Sequence, residues 1–456
     1  MTNAFQTLEL LLQHNQQRLV AFDDRNQFYQ VDFQQHVAQA IKNLNTDPYQ
    51  KYLLYADNSY HFAVNFIALV LLQKDIILTA NNKPDWLAAI QDSYQAIISD
   101  GSIEQLSAEN SDQILAHLEV THYQNTSEPQ SQLSFPEQYR SNIQFYTSGS
   151  SSEPKAINKN IKQLLLEADN LEQLFGQTLQ QSKFFATVSH HHIYGLIFRL
   201  LWPLLYKHPF SHQILLYPEE LIAASQRHDN ICLVSSPAFL SRHDNNLASV
   251  TLTQCFSSGS LLTAQAARLS YKQLKLFPVE VFGSTETGGI GYRTQANNNT
   301  AWAKFPGVVL TTNEVGRTTL DSPYIPHTEI LDDQIRQVDD HQFELLGRID
   351  RVVKIEEKRV SLDALEKAIQ QSELVAEVKV VVLQHKRTFI GAVIALSALG
   401  QDFLEQHTKL ALNTKLKNQL SQQFESVAIP RKWRYFEHLP YNLQGKLPID
   451  TLMSLF

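Results

Sequence analysis

The feature that most constrains this chain is an alternation that runs through its first three hundred residues. Short β-like runs are separated by helix-like stretches. KYLLYAD reads as a buried strand, residues 59–72 as a helix, DIILTAN as a second strand and SYQAIISD as another. Further along, FFATVSHHH, HQILLYP, NICLVSSP, LTQCFSSGS and VEVFGSTE each end a β-like run in small or polar residues. Strands alternating with helices imply crossover connections and a largely parallel sheet. The expectation is an α/β fold: a large N-terminal domain of mixed, largely parallel sheets with flanking helices. In open α/β sheets ligands gather at the carboxyl ends of the strands, so the chemistry is sought there.

A chain of 456 residues exceeds one small core and points to two or three domains. The texture changes near Gly347. FELLGRIDRVVKIEEKRVSLDALEKAI is dense in charge and reads as two short strands feeding a helix. EVKVVVL and FIGAVIAL follow as strands, then a helix over 409–424 and the basic stretch PRKWRYF. This predicts a small α+β domain of about 100 residues, within the usual size range. The expected division is 1–348 and 349–456.

Several classes fall away on composition. A formal net charge of −8 lacks the basic footprint of a general nucleic-acid binder. Two cysteines build no disulfide framework; Cys232 and Cys255 lie in apolar runs and read as inert core thiols of a reducing compartment. The N-terminal MTNAFQTLELLLQHNQQ reads as an amphipathic helix, not a signal peptide. FAVNFIALVLL, broken by Asn65, is too short to span about 30 Å of hydrocarbon. The expectation is a cytoplasmic protein without a membrane span.

FYTSGSSSEPKAI, residues 145–157, is the densest cluster of small hydroxyl residues. Small residues let backbone N–H groups approach an anion, hydroxyls add donors, and Lys155 supplies charge. It is not a Walker loop: the second glycine is missing and Ala156 follows Lys155. Alone, this pattern reads as an exposed turn. It does not coincide with the change in texture, which argues against a linker. VFGSTETGG, residues 281–289, places Thr285 and Glu286 at a strand tip, where a carboxylate can hold magnesium through oxygen. Asp333, GRIDRVVK and LPYNLQGKLP follow in order. Individually Glu286 reads as a helix-start acid, Asp333 as a solvated charge and Lys446 as a surface lysine. The consecutive histidines 190–192, placed on a strand, would put His190 and His192 on one side and His191 on the other. With no further ligand joining them, they read as pocket lining and not as a metal site.

The ordered set resembles the adenylate-forming enzyme superfamily: acyl-CoA and aryl-CoA synthetases, carrier-protein ligases and peptide-synthetase adenylation domains. The resemblance spans about residues 51–447 and five motifs. The compact chain is also similar to AMP-ligases of aryl-polyene or fatty acid pathways. It implies a large N-terminal domain, a hinge and a small mobile C-terminal lid. By resemblance, Thr147, Ser148, Gly149, Ser150, Ser151, Ser152 and Lys155 match the loop cradling the ATP phosphates. His192 matches the histidine bordering the acyl pocket, and Gly259, in SSGSLL, the loop beside adenine and the substrate carboxylate. Phe282 matches the aromatic stacked on adenine, beside Gly283. Thr285 matches the phosphate-contacting hydroxyl and Glu286 the magnesium ligand. Asp333 matches the ribose carboxylate, Arg348 its assisting arginine, Asp350 the hinge, and Lys446 the lid lysine bridging carboxylate and α-phosphate.

The chain departs from the pattern in four places. Ser152 stands for a glycine of the phosphate loop. Ile330-Leu331-Asp332-Asp333 replaces Thr-Gly-Asp, so Asp332 competes with Asp333; the spacing of fifteen to Arg348 favours Asp333. Asn442 replaces a threonine before Lys446. Glu357 stands for the glycine of the loop that approaches the pantetheine arm.

The resemblance implies an ATP- and Mg2+-dependent ligase that makes an acyl- or aryl-adenylate, releases pyrophosphate, and passes the acyl group to CoA or a carrier-protein phosphopantetheine. Arg431, Lys432 and Arg434 could meet an acidic acyl carrier protein, or form a solvated edge strand. The rivals are transfer to a non-thiol acceptor, and a nucleotide-binding sensor of the same fold, which Ser152 and Glu357 keep open. The small carboxylic acid itself is not legible.

Overall fold

The computed structural model describes residues 4–13, 17–103, 116–119, 133, 135–148, 154–179, 182–242, 244–296, 300–314, 317–348, 351–355, 358–384, 388–441 and 447–456. They divide into two compact units. The first comprises 1–298, 304–308 and 321–328; the second comprises 299–303, 309–320 and 329–456.

The first unit is built on two sheets. One runs in the order Ala116–Glu119, Ala96–Ser99, Lys51–Tyr55, Asp75–Thr79, Asn142–Ser148, Pro154–Asn160. All neighbours are parallel except the last two, which form an antiparallel hairpin. The helix Ser59–Leu71 is almost wholly buried, so its sequence is apolar all round. It starts where Asn58 accepts from the Tyr60 and His61 amides.

The other sheet has a parallel centre: Val279–Ser284, Leu252–Ser257, Ile231–Ser235, Lys183–Ala186, Phe210–Ile214 and Leu19–Phe22, in that order. An antiparallel partner closes each end of this run, Gly288–Thr294 beside Val279–Ser284 and Gln27–Tyr29 beside Leu19–Phe22. The expected α/β class with mixed, largely parallel sheets is the one found. Cys232 and Cys255 lie in the strand centre, fully buried, and burial pushes both thiols up, which keeps them protonated.

The second unit carries the sheet Val375–Gln384, Thr388–Leu396, Lys432–Phe436, packed by the helices Leu362–Gln370 and Lys409–Leu420. The two short strands expected before a helix are the hairpin Val352–Ile355 and Lys358–Ser361, followed directly by Leu362–Gln370. This is the small α+β unit the C-terminal texture predicts. The basic strand lies at the sheet edge, parallel to Thr388–Leu396. Lys432 Nζ and Arg434 Nε donate to the Phe456 and Leu455 carbonyls at 3.3 and 2.8 Å, so neither side chain is simply solvated. Among the described residues no helix is long and apolar enough to cross a membrane.

Candidate active site

Two hairpins of the first unit bring Lys155, at the end of the hydroxyl-rich stretch, and the strand-tip Glu286 together. The hairpin Asn142–Ser148/Pro154–Asn160 pairs Thr147 with Lys155 and Ser148 with Pro154 across its mouth. The hairpin Val279–Ser284/Gly288–Thr294 turns through Thr285, Glu286 and Thr287. Lys155 Nζ donates to Glu286 Oε1 at 2.7 Å across 131 residues of sequence. Both side chains remain open to solvent, at 58% and 40% exposure. Partial burial pulls the Glu286 pKa up, but the Lys155 ammonium, the Glu286 amide and the Ser284 hydroxyl outweigh it. The carboxyl therefore titrates below its ordinary range and is ionised at neutral pH.

The turn is braced locally. Thr287 Oγ1 accepts from the Ser284 amide at 2.9 Å and donates to the Gly288 carbonyl at 2.8 Å. A register shift between Phe282 and Gly283 marks a bulge. A Cβ on Gly283 would meet the Gly288 carbonyl oxygen at 2.2 Å, so only glycine permits this approach. Half-buried Phe282 sits just before the bulge.

The neighbouring parallel strand delivers SSGSLL to the same end of the sheet: Ser257 pairs with Glu280, and Ser258 Oγ donates to the Val281 carbonyl at 2.9 Å. Gly259 follows at φ 93° with nothing within 4 Å of where a Cβ would stand. Glu280, the residue before Val281, holds this end of the sheet together. Its buried carboxyl accepts from the Leu262 amide at 2.7 Å and from Arg293 Nε at 2.5 Å. Burial raises its pKa against those donors.

The histidines correct the alternation expected of them. The strand ends at Ala186, and His190 and His191 lie in the turn beyond it, so they do not point to opposite faces. Both are buried, with ring centroids 4.3 Å apart. His191 stacks on Tyr55 at 4.0 Å, and His190 Nε2 lies 2.8 Å from the Ala56 carbonyl. Burial lowers both pKa values, His191 to about 3 with help from His192 and Arg199, so both rings are neutral. His192 is half-buried at the start of the turn Ile193–Gly195 and accepts from the Leu196 amide through its carbonyl at 2.8 Å.

Asp333 and Arg348 belong to the second unit. They are directly paired on the antiparallel strands Asp333–Gln337 and Gln342–Arg348. Arg348 Nη2 lies 3.3 Å from Asp332 Oδ2, both exposed, and the Arg348 amide donates to Asp363 Oδ2 at 2.7 Å. Both carboxylates that compete for the ribose role thus stand beside Arg348. Gly149, Ser150, Ser151, Ser152, Asp350, Glu357, Asn442 and Lys446 lie outside the described residues.

Three groups at this site were not singled out from sequence: Lys159, Glu167 and Tyr324. Lys159 Nζ donates to the Glu286 carbonyl at 2.6 Å and the Tyr324 carbonyl at 3.0 Å. Glu167 Oε1 accepts from the Gly289 amide at 2.8 Å. The signal available was Glu167 within LLLEADNL: a helix of period 3.6 that buries Leu164, Ala168 and Leu171 buries Glu167 too.

A magnesium ion generally takes one or two protein carboxylates together with substrate phosphates. Ionised, half-exposed Glu286, paired with exposed Lys155 and flanked by Thr285 and Thr287, has the donor chemistry for that role.

The chain matches the family model of the AMP-binding enzymes over residues 31–316 and belongs to that family. It is 32% identical over 114 residues to a D-alanine–D-alanyl carrier protein ligase of Staphylococcus epidermidis, a stretch covering 24% of this chain and 22% of that protein. It is 32% identical over 124 residues to an acetyl-coenzyme A synthetase of Burkholderia lata, covering 27% and 19%. The chain thus matches about a fifth of the length of these curated relatives. An ATP-bound RpMatB–BxBclM chimera shares the fold with a TM-score of 0.83 over 99% of both chains, at 15% identity. The superfamily expected from the motifs is the one these matches identify.

Proposed function

We propose that this AMP-binding enzyme is an ATP-dependent carboxylic acid ligase that forms an acyl- or aryl-adenylate, releases pyrophosphate and hands the acyl group to a thiol, CoA or a carrier-protein phosphopantetheine. The observation that supports it most is the 2.7 Å meeting of Lys155 and Glu286 at the mouths of two hairpins. A carboxylate must attack an anionic phosphorus, so the site's task is to force negative groups together and stabilise the charge. In this reading Lys155 and the hydroxyls of Thr147, Ser148, Ser150, Ser151 and Ser152 hold the departing pyrophosphate, with Gly149 admitting close approach. Thr285 contacts phosphate. Glu286 would hold Mg2+, which when bound neutralises the phosphate charge. Phe282 and Gly259 flank the adenine, Asp333 with Arg348 takes the ribose, and His192 borders the acid. Lys446 bridges acid and α-phosphate from a lid that turns near Asp350. The nucleophile is already ionised, so no general base is required.

Carboxylate-dependent exchange of labelled pyrophosphate into ATP tests this reading with a panel of fatty, benzoic and cinnamic acids. Exchange with at least one class of acid is expected. ATP binding without exchange across the panel would favour a sensor. Lys446→Ala should depress exchange far more than ATP affinity.

A further inference from the structure

Beneath the exposed Lys155–Glu286 pair lies a second, buried set of polar contacts made by one continuous segment. The strand Pro154–Asn160 runs directly into the helix Ile161–Phe175, started by Asn160 and Gln163 in a reciprocal cap. From this segment Lys159 holds the carbonyls of Glu286 and Tyr324 at 2.6 and 3.0 Å. Glu167 Oε1 holds the amide of Gly289 at 2.8 Å, and Asn170 Nδ2 donates to the Tyr324 hydroxyl at 2.5 Å. A Cβ on Gly289 would stand 3.0 Å from Glu167 Oε1, and one on Gly288 2.9 Å from Oε2. The glycine pair therefore lets the carboxylate press against the hairpin backbone.

The two grips bracket Glu286: one on its own carbonyl, the other on the amide three residues later. Between them they fix the turn while its side chain stays outside, available to Lys155. We propose that Glu167, acting with Lys159, is a positioning residue that sets the Glu286 carboxylate for the metal–phosphate group of the nucleotide. This rests on the adenylation reading. An ordinary buried polar contact would also stabilise the fold, but it would have no reason to distinguish metal-bound from metal-free nucleotide.

The test uses the full chain. Isothermal titration compares ATP with MgCl2 against ATP with EDTA, and hydrogen exchange follows residues 284–289. Glu167→Ala should weaken magnesium–ATP binding tenfold or more, leave ATP in EDTA within twofold, and raise exchange at 285–289 at least tenfold. Glu167→Gln keeps an oxygen acceptor for Gly289 and should restore both. Should the alanine chain not fold, Glu167→Asp withdraws the carboxylate by one methylene and should give the same selective loss. Equal loss with and without magnesium, or unchanged exchange at 285–289, overturns the positioning role. A wild-type chain that binds ATP no better with magnesium than with EDTA overturns the adenylation reading itself.

Discussion

The Lys155–Glu286 pair and the Lys159–Glu167 grip bring the same two side-chain types to one turn, residues 285–289, at different depths. The outer pair is exposed and meets at 2.7 Å. The inner groups are buried, and each holds backbone: Lys159 two carbonyls, Glu167 one amide. Exposed pairs contribute about 0–1 kcal/mol and exchange partners readily. Buried charged hydrogen bonds contribute about 1.5–3 kcal/mol each and are costly to orphan. The contrast teaches a difference in depth: the inner contacts hold the backbone of the turn, and the outer pair, in the proposed reading, is the part that would exchange for ligand.

That contrast can be broken most forcefully from inside. Lys159→Met should lose about 3 kcal/mol of stability in urea denaturation, because two carbonyls lose a charged donor. A loss under 0.5 kcal/mol would mean the grip is slack.

Next in size is a pH effect. Burial pushes Glu167 from 4.5 up to about 7, against the Gly289 amide and the Lys159 charge. With the folded pKa raised, the folded chain binds more protons than the unfolded one between those values. Stability should therefore fall as pH rises from about 4.5 to 7, by on the order of 3 kcal/mol at most. Relative to wild type, Glu167→Gln should flatten that fall in melts taken from pH 5 to 8. Parallel profiles would contradict the burial.

The outer pair should respond in the opposite way. Lys155→Ala is expected to change stability by less than about 1 kcal/mol while cutting pyrophosphate exchange at least tenfold. Smallest of all, a double-mutant cycle on Lys155 and Glu286 should give a coupling of about 0.2–1 kcal/mol that shrinks toward zero at 1 M salt. A coupling of 2 kcal/mol or more at that salt would place the pair with the buried contacts.

Which parts were legible follows from the range of the forces involved. Strands such as Lys51–Tyr55 and Ile231–Ser235 announce themselves, since burial on both faces demands a continuous apolar run. The apolar run leading into VFGSTETGG is legible for the same local reason, whereas a role for Glu286 at its tip came only from the family resemblance. His190 and His191 were misread because alternation holds only while the strand continues, and this one stops at Ala186. Lys159 and Glu167 were missed because their partners lie 127 and 122 residues away, and only folding joins them. Glu167 had a local clue in its place on a leucine-rich helix face, where a carboxylate requires a partner.

Pyrophosphate exchange in Glu286→Gln, beside wild type with an accepted acid, probes the convergence most directly. The substitution keeps the side chain's size and removes its charge. A fall of a hundredfold or more at saturating ATP, with the melting temperature unchanged, is the predicted result. Exchange within twofold of wild type would mean that the two hairpin mouths do not meet on the triphosphate.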